Sequence, residues 1–543
     1  MMRVPIIDVG ILVGYLALVV GTGAWLARRS GNTASFMAGN RAMPGWAIGL
    51  SMFGSYISSV SFLANPGKAF GGDWNAFVFT LCTPIAAIAA VLWFVPFYRR
   101  RGSVSAFEHF EHRFGRWART YAVICFLLAQ MGRMGMILFL LAKGAAPLLA
   151  ALFGVEDAAW LQPAVIVLIG SIMTLNVLLG GMQAVVWLGV IQSMLLLVGP
   201  VICLSAILYL LPGGIGRIVT TGIEHGKFGL GSTQVGGVAV MFGQATFWVV
   251  LLNGIVTNLS NFSVDQSYVQ RYISAASDRE ARKSVLITAG FYVPTAAFFF
   301  FIGTGLYALH VARPELLPGN VVKDADGVFP HFISHLLPVG LGGLVIAGIF
   351  AAAMDPNLNA MATLTFNDIY KPYFRPNAGE KESMFLLHAG TGLWGVMMIA
   401  VALWAAGVRN RAALDLVWEL AGLFSGGILG VLILGAVCPR ADGRSAAAGV
   451  ILGVAIILWM YFSTKSYWPQ ALRAIRSPFH SFMIVVIGNL ATLVTGLLWT
   501  WMFAKSPAAS GQASIQPEPA SVPGSGTDSR ASADAHPRHG CAD

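Results

Sequence analysis

The feature that most constrains this chain is a succession of apolar runs that recurs from its beginning to near its end. Each run is about 20 residues long, which is the length a helix needs to cross the hydrocarbon core of a bilayer. About 13 such runs can be marked, and only 11% of the 543 residues are charged, too few to cover a soluble surface. The sequence therefore predicts an all-α polytopic membrane protein with about 13 transmembrane helices.

The predicted spans follow one another with short polar connections, and a change of composition marks where they stop. They lie at about 6–27, 44–66, 74–98, 120–152, 161–179, 184–211, 239–268, 285–309, 337–366, 385–406, 414–437, 446–463 and 479–503. Beyond the last span the chain is rich in Ser, Ala, Pro and Gly. That composition predicts a disordered tail over 504–543.

The placement of basic residues predicts the orientation of the spans. The chain has 34 Lys and Arg against 24 Asp and Glu, a net charge of +10. With the N-terminus outside, about 21 of the basic residues lie in inner loops, including 99–101 and Arg271, and about 11 lie in outer loops. We therefore expect a bacterial-type plasma (inner) membrane protein with its N-terminus outside and its C-terminus in the cytoplasm. Because the charge orients the spans, no nucleic-acid partner is expected.

Two spans carry dense small and polar residues where the others are Leu, Val, Ile and Ala. These stretches are 51–61 in the second span and 253–266 in the seventh. A helix that unwinds at mid-membrane exposes backbone groups to a solute or ion, and matched interruptions indicate inverted repeats around a central site. Close helix packing is the alternative, but it requires small residues only at every fourth position. The continuous runs therefore favour a binding site.

A single arginine, Arg133, lies near the middle of the fourth span, where a cation costs about 2.5–3.5 kcal/mol on insertion scales. Its planar guanidinium suits a carboxylate, and Gly132 and Gly135 leave room beside it. The favoured interpretation is a substrate-binding residue for a carboxylate-bearing solute. The alternative is an internal ion pair with Asp355 or Asp265.

Several blocks of the sequence resemble the sodium:solute symporter family. They include the run Asp-Gln-Ser-Tyr-Val-Gln-Arg-Tyr at 265–272, Gly-Gly-Met-Gln-Ala-Val at 180–185 and Asn-Asp-Ile-Tyr-Lys-Pro at 367–372. The resemblance implies a leucine-transporter-type 5+5 inverted repeat that imports a small organic solute by alternating access. It implies a first span and inner loop at 1–43, a transport core at 44–437, two additional spans at 438–503 and a cytoplasmic tail at 504–543.

Within the family, the run around Arg133 looks most like the bacterial sialic-acid symporter branch. In that branch the arginine binds the substrate carboxylate and small hydroxyl residues of the second span contact the substrate, which implies substrate-binding roles for Arg133, Ser58 and Ser61. A family glutamine of the third span corresponds to Thr80 here. A carboxylate smaller than a sialic acid therefore stays an alternative.

The resemblance also implies a sodium site, although its ligands in this chain are atypical. The family site uses two carbonyls of the second span, here those of Gly54 and Ile57, with a carbonyl and two serine hydroxyls of the ninth. The serine pair is missing: either three residues are deleted, or Asp355 and Pro356 stand in its place. A family aspartate of the sixth span, which some members use for a second sodium ion, is replaced by Gly189.

The replaced segment suggests how an ion could still be held. Because a proline nitrogen cannot donate a hydrogen bond, Pro356 would free the carbonyl of Ala352, the family's carbonyl ligand from the ninth span. That carbonyl and the Asp355 carboxylate could bind sodium together with the second-span carbonyls. The carboxylate could instead carry a proton, or pair with Arg133 without any coupling.

The remaining expectations concern activity and partners. No constellation of nucleophile, metal ligands or cofactor-binding residues predicts an enzyme, and no cofactor other than a sodium ion is implied. A membrane sensor that binds ligand without turnover is the alternative from another class, disfavoured because the tail is too short for an output domain. The expected partners are a small-molecule solute and the lipid bilayer, with a monomer sufficient for function.

Overall fold

The computed structural model describes residues 6–28, 31–57, 59–153, 160–323, 325–353, 357–408, 424, 427–465 and 468–503. Over these ranges the regular secondary structure is helical, joined by turns and loops, apart from one isolated β-bridge between Met43 and Ala275. The all-α prediction is confirmed. The predicted tail, half of the eleventh span, Ser58, Asp355 and Pro356 lie outside these ranges.

The helices are numbered here in chain order. They are α1 (Ile6–Ala27), α2 (Thr33–Ala38), α3 (Gly45–Tyr56), α4 (Ser59–Gly71), α5 (Phe77–Leu81), α6 (Thr83–Ala89), α7 (Val95–Arg101), α8 (Glu108–Phe114), α9 (Arg116–Phe153), α10 (Leu161–Leu210), α11 (Gly214–Glu224), α12 (Val238–Phe242), α13 (Phe247–Ser263), α14 (Gln266–Ile273), α15 (Asp278–Ala312), α16 (Gly319–Val322), α17 (Ala325–His335), α18 (Leu341–Ala353), α19 (Asn357–Leu364), α20 (Lys371–Tyr373), α21 (Glu380–Gly407), α22 (Ile428–Val437), α23 (Gly443–Ser463) and α24 (Met483–Phe503). Short π-helices at Ala90–Phe94 and Thr365–Tyr370 join α6 to α7 and α19 to α20.

Eight helical segments of the described chain are long and apolar enough to cross a bilayer, and the number rises to ten if two bent helix pairs each form one span. Side-chain caps are present at the starts of three of the apolar helices. The side chains of Thr246, Ser277 and Asp442 accept hydrogen bonds from the first-turn amides of α13, α15 and α23, groups that a helix cannot satisfy internally.

The predicted fifth and sixth spans correspond to α10, a helical run of 50 residues that consists of two helices meeting at a kink. At 1.5 Å per residue the two helices together rise about 75 Å, enough for two crossings of a core about 30 Å thick. It kinks at Gly181, whose φ of 50° and ψ of −139° are not helical. A Cβ at Gly181 would lie 2.9 Å from Phe36 Cα. The predicted break between the two spans is therefore confirmed, although it is a kink at one glycine and not a loop.

Both predicted interruptions exist, but they are narrower than the polar runs that predicted them. Helix α3 continues to Tyr56 and α4 is inclined at 53° to it, while α13 continues to Ser263 and α14 is inclined at 48°. The chain leaves helical geometry at Ile57 in the first pair and at Val264 and Asp265 in the second. These points are named the first break and the second break.

The long helices hold the two broken spans in the middle of the molecule. Helices α10 and α15 pack against α3, and α15 also packs against α4. Helix α13 lies against α5, α6 and α24, and α9 contacts α4, α18 and α19. Small residues allow these approaches: a Cβ at Gly303 would lie 2.2 Å from the Pro66 carbonyl oxygen. The packing places both breaks in the interior of the bundle.

Candidate functional site

The two breaks meet at a cluster of aromatic rings. The ring of Tyr56, at the end of α3, lies 5.7 Å from Phe262, 5.0 Å from Tyr268 and 4.8 Å from Tyr292, measured between ring centroids. All four residues are buried. We call them the aromatic cluster. Because they come from α3, α13, α14 and α15, the cluster shows that the two broken spans adjoin each other, as the predicted central site requires, although the aromatic residues themselves were not predicted.

The second break is organised around the carboxylate of Asp265. Its Oδ1 accepts hydrogen bonds from the amide and the hydroxyl of Ser267, at 2.8 and 2.6 Å, and so caps the start of α14. Its Oδ2 accepts a hydrogen bond from Gln130 Nε2 at 3.2 Å. Gln130 belongs to α9, so this bond fastens the second break to the helix that carries Arg133.

The chain of hydrogen bonds continues from Gln130 to the first residue of α19. Asn357 Nδ2 donates to Gln130 Oε1 at 3.0 Å. Since the carboxylate of Asp265 only accepts, it fixes the direction of both amides. Asn357 Oδ1 is consequently left as a buried acceptor that receives no hydrogen bond from any residue in the described ranges. A buried acceptor without a donor is costly, so this oxygen is available to a bound solute or ion.

Arg133 lies in α9, three residues after Gln130, and is half-buried. Residues three apart share one side of a helix, so Arg133 is on the side that faces the second break. The opposite side packs on α21, where a Cβ at Gly135 would lie 2.4 Å from Val401 Cγ1. Ser61 is half-buried in α4, which is a neighbour of α9. Arg133 and Ser61 therefore lie on adjacent helices.

Thr80 lies in α5 and is buried, with 3% of its surface exposed. A side-chain hydrogen bond joins it to Tyr292 of the aromatic cluster. Its neighbour along the helix, Thr83, donates to Asn258 Oδ1 at 3.1 Å. The structure thus attaches Thr80 to the site through an aromatic hydroxyl, and Ser58, the remaining predicted substrate contact, falls outside the described residues.

The predicted ion ligands come from α3, from the first break and from α18. The carbonyl of Gly54 accepts a hydrogen bond from Gln192 Nε2 at 3.2 Å. A carbonyl oxygen has two lone pairs, so this oxygen can accept a second interaction. Ile57 is extended and buried, and Ala352 lies near the end of α18. Asp355, the fourth predicted ligand, belongs to the stretch that the structure does not describe.

Gly189 packs directly against α3. A Cβ built on it would lie 2.3 Å from Ser51 Oγ and 2.9 Å from Ser51 Cα. No side chain can be accommodated there without a shift of backbone. The family aspartate expected at this position is therefore replaced by a close contact between α10 and α3.

Arg271 is the main functional candidate that sequence reasoning missed. It was counted with the inner-loop cations, yet it is buried, with 1% exposed. Its Nη1 donates to the Ser51 carbonyl at 2.8 Å and to Ser55 Oγ at 2.9 Å, and its guanidinium lies 5.4 Å from the Tyr268 ring. The arginine ties α14 to α3 and so joins the two broken spans. Its position in the run at 265–272 that resembles the family was the only feature of the sequence that pointed to a functional role for Arg271.

One end of the bundle is fastened by a buried ion-pair network. Arg119 Nε lies 2.6 Å from Asp368 Oδ1, and Asp368 is fully buried. Ser105 donates to the same carboxylate at 2.6 Å, and Arg119 also reaches Glu111 at 2.7 Å. Burial acts to raise the pKa of Glu111, but Arg119 and Arg116 outweigh it and lower that pKa below its usual range. We call this region the basic end, because residues 99–101 and 279–283 also lie there.

A helical membrane protein whose broken spans meet at a buried polar centre has the organisation of a secondary transporter. The sodium:solute symporter family model matches residues 36–453. The chain belongs to that family.

Individual relatives agree with this assignment. The chain is 29% identical to the sodium/sialic acid symporter SiaT of Proteus mirabilis, over 92% of this chain and 95% of the relative. It is 27% identical to human sodium-coupled monocarboxylate transporter 1, over 87% of this chain and 76% of that relative. The solved substrate-bound, outward-open structure of a Na+-coupled sialic acid symporter superposes with a TM-score of 0.82, at 28% identity, over 92% of this chain and 98% of the other.

These matches establish the fold and the general activity. The structure has the leucine-transporter-type fold, and the chain is a multi-pass membrane protein and a sodium-coupled solute symporter. The fold and the family predicted from the sequence are confirmed.

Proposed function

We propose that this symporter imports a small organic acid and that Arg133 binds its carboxylate. The observation that carries the proposal is the chain of hydrogen bonds from Asp265 through Gln130 to Asn357. It directs one side of α9 towards the second break, and Arg133 lies on that side. A guanidinium fork offers paired donors to a carboxylate, while Asn357 Oδ1 offers an acceptor to a solute hydroxyl or amide.

The chemistry of the relatives supports an acidic solute. One is named for sialic acid and another for monocarboxylates, and the two solute classes share a carboxylate. Ser58 and Ser61 are proposed as hydroxyl contacts from the first broken span, and Thr80 as a wall residue. Thr80 is bonded to Tyr292 and has no amide with which to contact the hydroxyl groups of a sialic acid, as a glutamine would, so it supports a smaller solute with fewer hydroxyl groups.

Sodium is proposed to bind at the first break. Its ligands would be the carbonyls of Gly54, Ile57 and Ala352 with the carboxylate of Asp355, an oxygen set that suits a hard cation. Support comes from the packing of α18 against α4 and from the second lone pair of the Gly54 carbonyl oxygen. A carboxylate in place of two serine hydroxyls would add charge to the site and strengthen its dependence on pH.

The basic end is proposed to face the cytoplasm of a bacterial cell, with the membrane being the inner membrane. The positive residues at 99–101 and 279–283 flank long apolar helices there, as the positive-inside rule requires. The transport core then extends over 44–437, the N-terminus lies outside, and the last two spans at 438–503 lie beyond the core. A monomer contains every proposed ligand.

The substrate assignment is tested by binding and uptake. Purified protein is screened by thermal shift against sialic acid, pyruvate, lactate and glucose, each with and without sodium, and the best ligand is followed into proteoliposomes. Arg133→Ala should lower uptake at least about tenfold, the effect of losing one charge-assisted contact. Lys143→Ala, an exposed cation further along α9, is the matched control. Undiminished uptake by Arg133→Ala would remove Arg133 from the mechanism, and a failure of labelled solute to exchange in counterflow would favour a sensor.

The ion assignment is tested with Asp355→Asn. We expect sodium-driven uptake to fall and the concentration of sodium needed for half-maximal binding to rise, because the charged ligand is lost. If wild-type uptake does not depend on sodium and is driven by a pH gradient, the coupling ion is a proton and the assignment of these residues as sodium ligands is wrong.

A further inference from the structure

A groove at the basic end lies outside the transport site and has no role in the proposed mechanism. Its volume is about 780 Å³, within the usual range of ligand pockets. One wall is the start of α15, and Val91 of the π-helix between α6 and α7 lines the other side. The groove is therefore bounded by two membrane-crossing segments.

The α15 wall changes from cationic to apolar along one side of the helix. Arg279, Arg282 and Lys283 lie in its first turns, and Leu286 and Ile287 follow one turn later. The spacing of three and four residues puts all five on the same face. From Arg279 to Leu286 the helix rises about 10 Å, which is the depth over which a bilayer changes from headgroups to hydrocarbon.

Two of the three cations of the groove, Arg279 and Arg282, are not neutralised by acids of the described ranges, and the third, Lys283, has only a long contact with Glu280. Arg279 and Arg282 are exposed, and neither forms an ion pair with a residue in the described ranges. Asp278 also lines the groove, but it is paired with Arg99. Glu280 uses one carboxylate oxygen to accept from the Gly45 amide at 2.7 Å, and the other lies 3.9 Å from Lys283. The groove therefore keeps an excess of positive charge.

The apolar part of the groove continues onto a surface that faces lipid. Leu286 is 51% exposed, and Leu92 and Trp93, which follow Val91, are 57% and 66% exposed. Exposed aliphatic residues along a membrane span contact acyl chains, and tryptophan is enriched at the interface. A molecule that occupied the groove would meet cations at one end and hydrocarbon at the other.

We propose that this groove binds an anionic phospholipid. The phosphate would lie among Arg279, Arg282 and Lys283, and an acyl chain would follow Val91, Leu286 and Ile287. Basic pockets between transmembrane helices on the cytoplasmic side are a recognised kind of lipid site. A free phosphate could meet the cations but would leave the apolar wall unused.

The test is native mass spectrometry of the full-length protein in detergent, titrated with phosphatidylglycerol or with phosphatidylcholine of the same acyl chains. The variant Arg279→Gln/Arg282→Gln/Lys283→Gln should bind phosphatidylglycerol at least about tenfold more weakly, since each interfacial cation attracts anionic lipid. The matched control, Lys381→Gln/Arg440→Gln/Arg444→Gln, removes three exposed cations elsewhere and should change binding less than about twofold.

Two further arms separate a lipid from a simple anion. Leu286→Asn should weaken phosphatidylglycerol binding but leave the binding of glycerol 3-phosphate unchanged. The proposal is overturned if the control triple variant weakens the binding of phosphatidylglycerol as much as the groove variant does. It is also overturned if wild-type protein binds phosphatidylcholine, or glycerol 3-phosphate, as tightly as phosphatidylglycerol.

Discussion

The two broken spans reach the same aromatic cluster but are held in different ways. At the second break the carboxylate of Asp265, a residue of the break itself, caps the half-helix that follows, α14. At the first break the carbonyls near the end of α3 are held by side chains from other helices, with Ser193 donating to Leu50 and Gln192 to Gly54. The second break therefore supplies much of its own local support, whereas the shape of the first depends on α10 and α14.

This difference suggests how the two spans are coupled. Arg271 of α14 donates to the Ser51 carbonyl and the Ser55 hydroxyl of α3, so a movement of the second broken span changes the donors available to the first. The proposed sodium ligands lie at the first break. Helix α9, which carries Arg133, the residue proposed to bind the carboxylate, is instead fastened through Gln130 to the second break. Solute and ion would thus act on different breaks of one connected unit.

The largest effect is expected from cutting the link between the breaks. Arg271→Met removes the guanidinium that donates to the Ser51 carbonyl and the Ser55 hydroxyl. We expect the substitution to lower the free energy of unfolding by about 3 kcal/mol or more and to abolish uptake. Arg271→Lys should retain part of the stability and part of the uptake. Arg444→Met, an exposed arginine in the first turn of α23, is the control for charge removal. Equal stability of Arg271→Met and wild type in detergent would show that the breaks are not joined here.

A smaller effect is expected from loosening the second break alone. Asp265→Ala removes the cap of α14, worth about 0.5–2 kcal/mol, and leaves Gln130 Nε2 without its acceptor. Asp265→Asn keeps a capping oxygen and should lose less. Thermal unfolding and sodium-driven uptake, measured for both variants, show which substitution costs more stability and activity. A larger loss of stability in Asp265→Asn than in Asp265→Ala would contradict the capping role.

The first break can be disturbed separately through α10. Gly189→Ala forces a methyl group against Ser51, and we expect destabilisation by about 1–3 kcal/mol with weaker sodium dependence of binding. Ser51→Gly should partly rescue it, because two of the three nearest atoms belong to that side chain. Gly290→Ala in α15 is the matched control, since a Cβ there meets nothing within 4 Å. Equal effects of the two alanines would mean that the contact is not tight.

The smallest effect is expected at Glu111, which lies in α8 at the basic end and away from both breaks. Because its folded-state pKa is lowered, its ionised form stabilises the fold above its ordinary pKa of 4.5. That contribution is lost as the pH falls through the lower folded-state value. Glu111→Gln should therefore cost less than about 1 kcal/mol at neutral pH, and this difference should vanish in acid. A pH-independent difference would assign the loss to packing.

The sequence predicted the features that local pattern determines. Apolar runs located the membrane helices, and continuous polar runs located both breaks to within a few residues. Arg133 was found because a charge inside an apolar run is conspicuous without any knowledge of its neighbours. The boundary between the fifth and sixth spans was located as well, although the structure makes it a kink at Gly181 and not a loop.

Contacts between distant parts of the chain could not be predicted. Gln130 reaches Asp265 across 135 positions and Asn357 across 227, and nothing in the local residue pattern pairs them. Arg271 was misjudged for the same reason: its run reads as an amphipathic segment beside a loop, and only the packing of α14 buries it. The aromatic cluster likewise depends on four helices meeting.

The central claim is that Arg133 binds the carboxylate of a solute whose entry is driven by sodium. The most direct test is uptake of labelled pyruvate and sialic acid into proteoliposomes under an imposed inward sodium gradient, with wild type, Arg133→Ala and Lys143→Ala compared side by side. We predict concentrative uptake of one of these acids by wild type and Lys143→Ala, collapsing without sodium and lost in Arg133→Ala. Sodium-driven uptake that persists undiminished in Arg133→Ala would contradict the account.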